Sequence, residues 1–301
     1  MAAFVVLAVV FFALFGRPAS PYGRQTIVVV GSPMVVLSWN SQDGTATMVT
    51  LPSDVAAEGT HGYGMYSLEA FWRLGQIDKK DGTVLSESLS ETLGVPVPWY
   101  IGAKNGVSTH DASTPDIVKQ TFSLQSVTDF LRGAYRTNMP FSQFVRFAWL
   151  FTAAKPQRVL TFDYRSQPDF IAEQVTLPDG SMQWVLDPAR LDVRLAHVFE
   201  DERIRRESVT VAVLNTTSMP SLGSRAARFL TNIGVSVVSV GNDTPEADVC
   251  TIAGSQAARV SVSAKVIASV FGCIEDAVTP SDRADLTVRI GKSYTKRFIP
   301  N

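Results

Sequence analysis

The residues best placed to do chemistry follow a short stretch of alternating side chains. Val209, Val211 and Val213 alternate with Thr210, Ala212 and Leu214, a period of two that predicts a strand buried on both faces. Asn215, Thr216, Thr217 and Ser218 interrupt it with short polar side chains that cap and turn. Leu222, Ala226, Phe229, Leu230 and Ile233 follow at helical spacing, and Gly234 sits just past them. The unit reads as β-α-β. A helix N-terminus with free amides binds anions, and Arg225 in the first turn would add a guanidinium. The same residues can simply close a tight turn and cap the helix, and the residues alone favour that plainer role. Glycine is too scarce here for a phosphate loop or a dinucleotide fingerprint. Asn215, Thr216, Thr217, Ser218 and Arg225 are the candidate binding residues.

Other chemistry is thinner. Ser67, Asp54 and His61 make no nucleophile elbow. Asp78, Asp81, Glu87 and Glu91 read as solvated charge on a helix face or loop rather than as an acid–base pair. His61, His110 and His197 are scattered, and Cys250 and Cys273 lack zinc spacing, so no metal or other cofactor is expected. The two cysteines suit a disulfide outside the cytosol and equally suit two buried thiols. With 27 basic and 28 acidic residues the net charge is −1. That leaves no basic field for nucleic acid, which is not expected as a partner.

The elements that must position these groups fall into two parts. A chain of 301 residues accommodates two domains, and 46% hydrophobic with 18% charged residues marks a folding sequence. Residues 1–16 carry the uncharged run AAFVVLAVVFFALF. It is short for a membrane span and long enough for a signal core. An uncleaved signal anchor is preferred to a cleaved signal peptide, giving a single-pass protein of the cell membrane with its bulk extracytoplasmic. Residues 17–24, with Pro18 and Pro21, read as a linker.

Residues 25–199 read as one α/β domain. Strands are predicted at 25–30, 35–39, 45–51 and 159–164, with a glycine-bearing loop at 58–66. Leu85, Leu89 and Leu93 mark a helix ending at Gly94, and Phe141, Phe144, Ala148 and Phe151 mark another. Residues 170–177 and 182–186 form a hairpin pattern. The connector 200–208, overlapping the run FEDERIRRE at 199–207, mixes charges of both signs and reads as a solvated helix end. Residues 209–294 form a small C-terminal α/β domain, and 295–301 a tail.

The run VTVAVLNTTSMPSLGSRAARFLTNIGVSVV resembles the C-terminal domain of LytR/CpsA/Psr-type cell-envelope proteins, whose usual form is V-x-V-L-N-G-T. Thr216 stands at the usual glycine. The closing ADLTVRIGKSY, residues 284–294, resembles that domain's final strand and its G-K-D-Y ending, with Ser293 replacing the acid. A weaker resemblance covers 26–164. ATMVTLPSD, ending in Asp54, resembles the family strand ending in I-P-R-D, and LSETLGVPVPWYI resembles the helix followed by L-G-I-P-I-D-Y-Y.

That second resemblance implies an α/β/α sandwich with a mixed sheet. It also implies transfer of glycopolymers from a polyprenyl pyrophosphate carrier to the cell wall with Mg²⁺. A diphosphate needs several fixed guanidiniums. Asp54 matches the family aspartate, but Ser53 replaces its arginine. Gly31-Ser32-Pro33 stands where G-x-D-x-R…R-x-D would, and residues 114–131 hold Lys119 and no arginine. Arg73 is a stray phosphate contact or, more simply, a surface residue. The expectation is a non-catalytic, membrane-tethered binding or scaffolding member with a degenerate transferase-like domain. Its partner would be a cell-wall polymer or an envelope protein. The alternative is a working Mg²⁺-dependent phosphotransferase, which would need Arg73, Arg132, Arg136 or Arg146 gathered at Asp54.

Overall fold

The computed structural model describes residues 21–104, 113–153, 156–177, 180–276 and 284–300. The expected anchor at 1–16 lies outside the described residues. Among them, no helix is long and apolar enough to cross a membrane.

The chain opens with an antiparallel meander of β1 (Arg24–Val29), β2 (Met34–Asn40) and β3 (Ala46–Leu51). Each strand is buried on both faces, and the alternation sorts its side chains. Val28, Val36, Val49 and Leu51 enter one core, while Ile27, Val29, Val35 and Leu37 enter another on the opposite face. The predicted loop at 58–66 is instead a hairpin of β4 (Ala56–Gly59) and β5 (Gly64–Ser67). Its apolar members Met65 and Tyr66 face solvent, so no buried alternation marks it in sequence.

Two helices cover the first face. They are α1 (Leu68–Ile77), which buries Phe71 and Trp72, and α2 (Thr83–Leu93), which buries Leu85 and Leu89. Gly94 ends α2 at φ +63°, a left-handed cap that glycine adopts without strain. β6 (Trp99–Ala103) then pairs parallel to β1. The second face is covered by α3 (Thr114–Thr121), α4 (Leu124–Leu131) and, after β7 (Tyr135–Thr137), α5 (Phe141–Ala153). Phe122, Phe144, Phe147 and Phe151 pack there ring against ring. β8 (Val159–Asp163) completes a mixed six-stranded sheet ordered β7-β6-β1-β2-β3-β8 between the two helical layers.

β9 (Ala172–Thr176) and β10 (Met182–Leu186) join the earlier hairpin in a four-stranded sheet, β5-β4-β10-β9. Two short helices follow, α6 (Pro188–Arg194) and α7 (Glu202–Glu207). The C-terminal part is built from β11 (Thr210–Asn215), α8 (Leu222–Asn232), β12 (Ser236–Asn242), β13 (Thr251–Gly254), α9 (Gln256–Arg259), α10 (Val262–Phe271), β14 (Ile274–Glu275), β15 (Leu286–Ile290) and α11 (Lys292–Thr295). Its five strands order as β12-β11-β15-β13-β14, mixed in direction. A disulfide joins Cys250, just before β13, to Cys273, just after α10.

The connector is solvated on one side, where Glu202, Arg205, Arg206, Glu207 and Ser208 are exposed, and anchored on the other. Phe199 and Ile204 are buried, and Asp201 is 1% exposed. The Asp201 carboxylate accepts the Gly23 N–H at 2.7 Å and the Arg203 guanidinium at 2.6 Å. Desolvation makes such a charge costly unless it is paired and hydrogen-bonded, and here it is both. One apolar core therefore runs from Tyr22 through α2 and Phe199 to Val211, Phe229 and Tyr294, across the expected boundary.

Candidate functional site

Three strand ends converge at one end of the six-stranded sheet. Ser32 follows β1, Ser53 and Asp54 follow β3, and Asp163 ends β8. The Ser32 and Ser53 hydroxyls share a hydrogen bond at 2.8 Å, and Thr50 and Thr114 share another at 2.7 Å. Asp54 is exposed and lines a cleft of about 480 Å³ with Val55, Arg165, Pro168 and Trp184. Arg165 is clasped to Asp163, its Nε 3.0 Å from both carboxylate oxygens. Burial alone would raise the Asp163 pKa. The hydrogen bonds from Arg165 outweigh it and hold the carboxyl below the usual range.

This corner is made of hydroxyl pairs and one satisfied ion pair, which offer little to a diphosphate. The other arginines stand elsewhere. Arg73 pairs with Glu69 on α1, and Arg136 pairs with Asp81 at 2.8 Å. Arg132 is exposed just past α4, and burial lowers the pKa of Arg146 on α5. None of the four lines the cleft beside Asp54. Mg²⁺ seats on carboxylates together with phosphate oxygens. Among the described residues, the carboxylates here are Asp54 and Asp163, and Asp163 is committed to Arg165, so the described donor set does not fit it. Among the described residues no group of three or more His, Cys, Asp or Glu could hold a metal ion.

The turn after β11 is tied into its own fold. Asn215 Oδ1 accepts the Thr217 N–H at 3.0 Å and its hydroxyl at 2.8 Å, while Nδ2 donates to the Met219 carbonyl at 2.8 Å. The Thr216 hydroxyl donates to the Ile290 carbonyl at 2.8 Å and accepts the Ala247 N–H at 3.2 Å. Ser218 is exposed, and α8 begins after Ser221, which sits at φ +62° without a side-chain cap. Arg225 reaches across to the first half of the chain, pairing with Glu58 at 2.9 Å and lying over the Phe298 ring.

Several polar contacts between the two halves could not be read from sequence. Glu91 on α2, read there as solvated, has a side chain only 9% exposed. It accepts the Tyr294 hydroxyl and the Arg297 guanidinium, each at 2.9 Å. Burial, and then the Glu91 charge, pushes the Tyr294 phenol far up, keeping it a donor. Arg228 on α8 pairs with Asp192, and Asn232 donates to Asp192 and to the Leu93 carbonyl. No local pattern signals these contacts, because partners such as Glu91 and Arg297 lie far apart in the chain.

Residues 208–294 match the family described as LytR cell envelope-related transcriptional attenuator. This stretch is a LytR C-terminal domain, joined through a shared core to a mixed-sheet α/β sandwich. No curated protein matches the chain. Among solved structures, TagV of B. subtilis aligns at 9% identity and TM-score 0.39, over 57% of this chain and 94% of its own. The transcriptional regulator yvhJ from Bacillus subtilis aligns at 10% and 0.40, over 57% and 94%. TagT bound to LI-WTA aligns at 12% and 0.42, over 60% and 91%. Similarities of this size leave the N-terminal half to be read from its own geometry.

Proposed function

We propose that this is a non-catalytic cell-envelope protein, in which a LytR C-terminal domain is welded to a sandwich that has lost its phosphate-binding charge. The observation that carries this reading is the corner beside Asp54. Ser32 and Ser53 bond to each other there, and the cleft's arginine, Arg165, already answers Asp163. The domain at 208–294 supports a place in the envelope. The run AAFVVLAVVFFALF serves as its membrane anchor, with the bulk extracytoplasmic, where a disulfide persists. Its partner is a cell-wall polymer or an envelope protein bound by the C-terminal domain.

A second reading has the cleft itself in its favour. About 480 Å³ beside an acid and an arginine suits an active phosphotransferase moving glycopolymers from polyprenyl pyrophosphate. One experiment separates the two. The full chain is incubated with purified cell wall, and with lipid-linked glycopolymer and Mg²⁺. Retention on the wall without transfer, unchanged in Asp54→Ala, is expected. Transfer that disappears in Asp54→Ala establishes the transferase, and absence of both retention and any envelope partner removes the binding role.

A further inference from the structure

We propose that the outer face of α5, around Trp149, lies in the headgroup layer of the bilayer in which residues 1–16 are anchored. The proposal rests on the membrane-anchor reading and adds a second contact to it. α5 has the sequence FSQFVRFAWLFTA. Phe144, Phe147 and Phe151 are buried in the aromatic core beneath it. At 3.6 residues per turn, Trp149 stands about 160° round the helix from both Phe147 and Phe151. There it is 60% exposed, and Val145, one turn earlier, is half-buried. Trp149 is the most exposed of the five tryptophans.

A helix that is apolar on both sides needs a second apolar partner, supplied by protein or by lipid. The chemistry of this face favours lipid. Tryptophan prefers the membrane–water interface, where its ring meets the acyl boundary and its N–H meets the headgroups. α5 carries one basic residue, Arg146, and no acidic one, so its charge complements an anionic headgroup layer. Its 13 residues give a rod of about 20 Å, too short to cross the hydrocarbon and suited to lying along its surface.

The fold sets this face beside the point where the anchor joins the sandwich. Gln25, at the start of β1, lies opposite Trp39 on β2, and the Trp39 ring meets Phe151, near the end of α5, at 6.1 Å. The C-terminal end of α5 and the start of β1 therefore share one end of the sheet. Val159 lies opposite Ala46, and Ala46 opposite Trp39, which brings the start of β8 to the same end. Arg158 and Leu160, both exposed, flank Val159 there. The apolar run stops at Phe15, and the chain from there to Tyr22 reaches at most about 25 Å. An inserted anchor thus holds this end of the sheet close to the bilayer, with Trp149 within one helical turn of Phe151.

Flotation and fluorescence of the full chain with vesicles test it. The vesicles are phosphatidylcholine with about a quarter phosphatidylglycerol, made with and without acyl chains brominated near the headgroup, which quench an indole at that depth. The wild-type chain floats with the vesicles, and bromination dims its tryptophan emission. In Trp149→Phe the fractional quenching falls by about twofold or more. Flotation and Tm stay unchanged in that variant, because the replaced ring is exposed. Flotation with equal quenching in wild type and Trp149→Phe overturns the proposal and leaves the anchor reading standing. Failure of the wild-type chain to float removes both.

Discussion

Arg228 grips Asp192 with two prongs, Nε to Oδ2 at 2.7 Å and Nη2 to Oδ1 at 2.8 Å. The arginine belongs to the LytR C-terminal domain and the aspartate to the sandwich. The same guanidinium donates to the carbonyls of Glu91 and Thr92, both at 2.8 Å. Those are among the last carbonyls of α2, which a helix cannot satisfy by itself. One residue therefore caps a helix of the other half and neutralises its acid. This relationship joins the two halves alongside the shared core.

Arg228→Ala removes the forked pair and both carbonyl contacts. Each bond to a charged group contributes about 1.5–3 kcal/mol, and partial exposure places the total near the lower end, at about 2–3 kcal/mol. Arg228→Lys recovers less than half, since an ammonium cannot fork. Urea unfolding followed by fluorescence measures both. Equal midpoints for wild type and Arg228→Ala would show that the halves do not depend on this contact.

Asp201 makes stability depend on acid. Burial alone would raise its pKa, but the Arg203 guanidinium and the Gly23 N–H outweigh it, and the folded value lies below the ordinary one. A depressed carboxylate contributes stability that is complete above its unfolded value, near pH 3.9, and is lost as pH falls through the folded value. Asp201→Asn is therefore destabilising at pH 7, and the difference from wild type shrinks below about pH 4. Thermal melts of both proteins from pH 3 to 7 check the sign. A gap that widens in acid would contradict it.

Glu207 ends the connector as the cap of another helix. Its carboxylate accepts the Val262 N–H at 2.7 Å, the Ser263 N–H at 2.9 Å and the Ser263 hydroxyl at 2.8 Å. Negative charge at the first turn of α10 also suits the helix dipole. Glu207→Ala should cost about 1–2 kcal/mol, the range of a lost N-terminal cap. Amide exchange would report faster opening across the first turn of α10. Unchanged protection there would discard the capping role.

The disulfide closes a loop of 23 residues in sequence separation. Chain entropy assigns such a crosslink about 3 kcal/mol. Replacing both cysteines by serine lowers unfolding stability by about that amount, with added reductant producing no further loss. Chemical denaturation with and without reductant measures it.

Much of the sandwich was legible because its signals are local. Val28 and Ile27 alternate along β1 into opposite cores, and Leu85, Leu89 and Leu93 line one face of α2 before a left-handed Gly94. The hairpin at β4 and β5 carries no local signal, since Met65 and Tyr66 point to solvent. At the candidate site, sequence named Asp54 but could not show that Ser32 and Ser53 would bond, nor that Arg165 would stand in the same cleft.

The order of residues alone determined the strand and helix periods, the caps, the near-neutral charge and the likeness of 208–294 to a LytR C-terminal domain. Each depends on neighbours within a few residues, or on composition. Tertiary structure decided that Glu91 is buried under Tyr294 and Arg297, that Arg228 ends a helix more than a hundred residues earlier, and that Trp149 stands exposed on α5. A charged side chain carries the same letter whether it meets water or a distant partner, and only the packing of remote segments removes the water.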